Sequence, residues 1–195
     1  DHGWHATATV GTFGAAAGAA RLLDLNANQA TMAIGIAGTQ AAGLMSMVGS
    51  MCNPLHAGLA GRFCRLAARW EGRGFTSRDD VLECPQGFGL TQSTEFTPLP
   101  IRTDASASYA VEQNLFKYHA ACYLIHSSIE AANSLRDQYK FTPADIDKIS
   151  THVAPGHRSV CDIREPETGL EVKFSIRHCI AMAVSYTHLR AHETP

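Results

Sequence analysis

Histidines make up ten of the 195 residues, and three of them stand where acid–base chemistry could use them. His5 lies in "DHGWHATATVG", ahead of a stretch rich in Ala and Gly. His56 lies in "GSMCNPLHAGLAGRF". His126 lies in "KYHAACYLIHSS", soon after Lys117 and His119. An imidazole can take up a proton near neutral pH. A lysine or the free amides of a helix N-terminus can offset the negative charge that then develops beside a carboxylate. Together these groups suit proton abstraction next to a carboxylate without a cofactor. The plainer alternative is that each histidine caps a helix, packs in the core or faces water.

Other chemistries have less support. His2 and His5 are three apart, but no second ligand pair follows at a spacing typical of zinc, so no metal is expected. The sequence has no GxSxG, and its glycines form no Walker or dinucleotide fingerprint. The six cysteines show no CxxC and read as reduced thiols of a cytoplasmic protein. A formal charge of −2 with no basic run gives nucleic acid nothing to bind. The small-apolar stretch "VGTFGAAAGAA" is too short to cross a membrane.

The elements that must position these residues are mainly helical. Residues 6–25 and 30–44 read as helices of small side chains that let neighbours approach closely. Asn53 reads as an N-cap and Pro54 as the first residue of a helix, which puts His56 in its first turn. There Leu55, Leu59, Phe63, Leu66 and Trp70 recur at helical spacing and Arg62, Arg65 and Arg69 share another face. Thr76 or Ser77 is expected to cap a short helix through "RDDVLE". Residues 85–110 carry Pro, Gly, Ser and Thr with weak periodicity and read as a linker. Beyond it, residues 110–118, 148–154 and 170–174 read as strands. Residues 122–139 read as a helix with Ile125, Ile129, Ala132 and Leu135 inward, "FTPAD" as a boxed helix start, and 175–184 as an apolar helix. Residues 185–195, "SYTHLRAHETP", do not continue its stripe.

The motifs "GWHATATVGTFGAAAGAARLLDL", "AIGIAGTQAAGL", "GSMCNPLHAG" and "FKYHAACYLIHSSIEAA", in that order, resemble the MmgE/PrpD family, which includes 2-methylcitrate dehydratase, cis-aconitate decarboxylase and iminodisuccinate epimerase. The resemblance implies a mainly α protein: part of a large all-helical domain with its linker (1–110), then part of a smaller α+β lid (111–184), with the active site between them. It implies a homodimer that needs no cofactor or metal and takes a small di- or tricarboxylate. Members are more than twice as long, so the chain is expected to be a fragment, inactive in isolation. Residues 185–195 have no counterpart and read as translated sequencing adapter.

The resemblance assigns catalysis to His5, Lys117 and His126, and substrate binding to Asn53, His56 and Cys122. Asn53 stands where many members have lysine, and Cys122 where the decarboxylase has an active-site histidine. Both departures count against decarboxylation. The expected activity is therefore a hydro-lyase acting on a 2-methylcitrate-like substrate. The alternatives are a dicarboxylate epimerase or isomerase, and a non-catalytic carboxylate binder on the same fold.

Overall fold

The computed structural model describes residues 3–98 and 109–185, and of Cys64 the backbone alone. The chain divides into two compact units, Asp1–Met47 with Met51–Asp104, and Val48–Ser50 with Ala105–Pro195. Both are built from helices. Among the described residues the only β pairing is in two isolated bridges, Trp4 with Leu44 and Asp162 with Ser175.

In the first unit α1 (Ala6–Leu22), α2 (Ala27–Gly38) and α3 (Cys52–Glu71) pack on one another, and α4 (Phe88–Gln92) follows. The core is made of small side chains: Ala8, Ala16, Ala20, Ala33, Ala37, Ala60 and Ala67 are all buried. Helices faced with alanine can approach more closely than leucine would allow, and close packing then supplies dispersion contacts in place of bulk. Asn26 and Gln29 close a capping box at the start of α2. Gly35 makes a further approach possible, because a Cβ there would lie 2.1 Å from Ser77 Oγ and 2.5 Å from the Arg78 carbonyl oxygen.

Two expectations need correction here. Helix α3 begins two residues before Pro54, with Met51 at its N-cap and no capping bond from Asn53. The first four N–H groups of a helix have no partner within it, so proline is tolerated at the third position as well as the first. Residues 78–83 form turns and no helix. Ser77 spends its hydroxyl on the Met32 carbonyl (2.9 Å), and the Arg78–Asp80 pair holds the turn that follows.

In the second unit α5 (Tyr123–Tyr139) packs against α8 (Ile176–Val184), with α6 (Pro155–Cys161) and α7 (Gly169–Val172) between them in sequence. Ile125, Ile129 and Ala132 of α5 meet Cys161, Cys179, Ile180 and Ala183 in one buried cluster. Thr142, Pro143 and Asp145 form the expected boxed start, although it lasts a single 3-10 turn. Ser175 caps α8, accepting from the His178 N–H.

None of the three expected strands forms. Residues 110–113 make a 3-10 turn, and 148–154 run without a pairing partner among the described residues. A strand with no neighbour leaves its backbone groups unpaired and gains nothing by flattening. Residues 170–172 lie in α7, fixed by a Thr168–Glu171 capping box. The region 99–108 of the expected linker, residues 186–195 and His2 lie outside the described residues. No described helix is long and apolar enough to cross a membrane.

Candidate functional site

The first unit brings His5 and His56 together. His5 is the N-cap of α1, and its N–H donates to the Gly43 carbonyl (3.0 Å). Its own carbonyl accepts from the N–H groups of Ala8 and Thr9, so the backbone holds the ring in place. His56 is buried one turn inside α3, and its Nδ1 lies 2.8 Å from that of His5. Gly43 makes room for the pair. Its φ of 152° is strained for any other residue, and a Cβ there would meet Ala8 at 2.4 Å and the His56 ring at 3.3 Å.

An Nδ1–Nδ1 hydrogen bond accommodates one proton, so the rings cannot both be imidazolium. When both rings are neutral, the one that donates is left with an unprotonated Nε2, the basic nitrogen a proton-abstracting catalyst needs. His5 is the less buried of the two. Burial, and then the charge of His56, push its pKa below the ordinary value of 6.5, which keeps it neutral at physiological pH. Asn53 is the second residue of α3 and only half-buried.

The second unit gathers a different set. His126 is buried on α5 with Nε2 3.4 Å from the Ala121 carbonyl oxygen. His119 meets it edge-on at 5.2 Å, and the Tyr123 ring lies tilted against it at 5.1 Å. His119 Nε2 is 2.5 Å from a Glu130 carboxylate oxygen, a contact that fixes the ring and its tautomer. These residues line a cavity of about 440 Å³ together with Tyr118 and His157. Cys122 immediately precedes α5. The Cys161 thiol donates to its sulfur, a backbone bond from Leu124 adds to this, and Lys117 and His157 bring positive charge; the thiol pKa falls to about 6.

His119, Glu130, Tyr123 and His157 have no role in the sequence reading. The i, i+3 and i+7 spacing of Tyr123, His126 and Glu130 puts them on one face of α5, which is the signal that could have found them. Among the described residues no group of three or more His, Cys, Asp or Glu side chains gathers as a metal site.

Comparison with known proteins adds what geometry cannot. Residues 1–98 match the family model for the MmgE/PrpD N-terminal domain, and residues 119–194 that for the MmgE/PrpD C-terminal domain. The cis-aconitate decarboxylase of Homo sapiens is 30% identical over 135 residues, 68% of this chain and 28% of that protein. The cis-aconitate decarboxylase of Aspergillus terreus is 31% identical over 147 residues, 71% of this chain and 30% of that protein. The cis-aconitate decarboxylase-like protein oryM of Aspergillus oryzae is 31% identical over 148 residues, 70% and 30% respectively. The chain thus spans less than a third of the length of these relatives.

Proposed function

Because the chain belongs to the MmgE/PrpD family, we propose that it is part of a lyase acting on a small hydroxylated di- or tricarboxylate of the 2-methylcitrate kind. The observation that carries this reading is the His5–His56 contact, which supports a neutral, oriented imidazole as base. His5 takes the proton next to a carboxylate; the electron pair left behind forms the C=C bond as the C–O bond breaks, and the hydroxyl group takes up a proton from solvent and leaves as water. His56 holds the His5 ring in register. Lys117 and His126 keep the catalytic roles that the resemblance gives them, and Asn53 offers a neutral hydrogen bond to a carboxylate. Cys122, just ahead of α5, keeps the substrate-binding place that the resemblance gives it. On the same reading the protein is a cytoplasmic homodimer that needs no metal or cofactor.

A second reading is decarboxylation, favoured by the names of the relatives. The two differ in what leaves. In D2O, the enzyme carrying this segment should exchange the hydrogen next to the substrate carboxylate, seen by proton NMR, and form a conjugated alkene absorbing in the ultraviolet. His5→Gln should slow that exchange by about 10²–10⁴, the usual contribution of a general base. Carbon dioxide release from a tricarboxylate would put the second reading in its place. No exchange with any di- or tricarboxylate would end both.

A further inference from the structure

Three cysteines belong to the core of the second unit or its edge, and they are not equivalent. Cys161, at the end of α6, is 1% exposed, and Cys179 on α8 is fully buried. Cys122 packs against the same cluster from its edge and is half-exposed. Its N–H donates to the Lys173 carbonyl (2.8 Å) and its carbonyl accepts from Ile125 (2.9 Å), which fixes the residue at the edge of the cluster that holds Cys161. Cys179 is turned elsewhere: its thiol donates to the Val172 carbonyl at 3.2 Å, and burial pushes its pKa up to about 11.

We propose that Cys122 is a site of oxidation by peroxides and that Cys161 resolves it, the two forming a reversible disulfide within one chain. This stands apart from the proposed activity. In the first step the Cys122 thiolate attacks a hydroperoxide; an S–O bond forms, the O–O bond breaks, and the leaving oxygen takes a proton from solvent and departs as water or an alcohol. The sulfur, oxidised by two electrons, becomes a sulfenic acid. In the second step the Cys161 sulfur displaces the sulfenic oxygen; an S–S bond forms, the S–O bond breaks, and the Cys161 proton leaves with that oxygen as water.

The neighbours fit both steps. Lys117, His157 and the Cys161 thiol are the groups that hold Cys122 as the thiolate, which is the form that reacts. Cys161 is kept protonated first by its bond to the Cys122 sulfur and then by burial. Once Cys122 is a neutral sulfenic acid, the largest of those restraints is gone and Cys161 can attack.

The test is hydrogen peroxide treatment of the reduced chain, followed by peptide mapping by mass spectrometry. The expected product is a Cys122–Cys161 linkage, lighter by two hydrogens and reopened by dithiothreitol. Cys161→Ser should stop the reaction at a Cys122 sulfenic acid that dimedone captures. Should that variant fail to fold, the map of the unaltered chain still decides. The proposal is overturned if Cys122 stays open to alkylation at peroxide levels that oxidise the exposed Cys52, or if it links to Cys179 or to another chain.

Discussion

The His5–His56 contact carries a cost that pH exposes. His5 has a folded pKa below its ordinary 6.5, so between those two values the unfolded chain binds more protons than the folded one. Stability then rises with pH through that window and is lost as pH falls below about 6.5. Thermal melts should therefore show the midpoint dropping as pH goes from 7.5 to 5.5, and His5→Gln should flatten that drop. Asp80 and Asp145 cannot mimic it. Bonds from Arg78 and Thr142 hold their carboxyl groups below 3.8, so their contribution is lost in a far more acidic range. An unchanged pH slope in His5→Gln would show that another group titrates. The types of these residues were legible, but their pairing was not. His5 and His56 are 51 positions apart, and what joins them is the passage of Gly43 beneath the ring, which no local pattern announces.

Helices were legible in position and less so in orientation. Large apolar residues drew the inward face of α3 through Leu55, Leu59, Phe63, Leu66 and Trp70. The buried line runs instead through His56, Ala60, Ala67 and Glu71, one residue on, and Leu55 is exposed. On α5 Ile125, Ile129 and Ala132 are buried as expected, yet Leu135 is exposed and Arg136 takes the next inward position, donating to the Ala183 carbonyl. In a core built on alanine, hydrophobic size is a poor guide to which face is hidden. Two glycines test this. Gly35→Ala places a methyl group against Ser77 and the Arg78 carbonyl; overpacking of about 1–3 kcal/mol and a hydrogen bond worth about 1 kcal/mol outweigh the ~1 kcal/mol that alanine gains in a helix. Gly18 lies in α1 with nothing within 4 Å of its would-be Cβ, so Gly18→Ala should stabilise by up to about 1 kcal/mol. Urea midpoints that move in the same direction for both would contradict the close contact between α2 and the Ser77 segment.

Strands were the least legible feature, and the reason bears on the behaviour of the chain as a whole. Ile149, Thr151 and Val153 alternate as a strand should, and all three line one cavity with Ile176 and Ile180. The period is present while the partner strand is not, among the described residues. An extended segment with open N–H and C=O groups is a template for pairing with another chain. Large apolar side chains are bare in both units: Leu22 is 85% exposed, Phe116 79% and Tyr118 87%, with Met51 and Leu115 also exposed. Exposed apolar surface of this kind favours association, and more than two thirds of each relative lies outside its match to this chain. Purified on its own, the chain should therefore take up a hydrophobic dye and form oligomers whose size grows with concentration in light scattering. Charged substitutions at Leu22 and Phe116 should reduce both. A monodisperse monomer that excludes the dye would mean that these side chains are covered in solution, and that the open faces of the two units are not what governs how the chain associates.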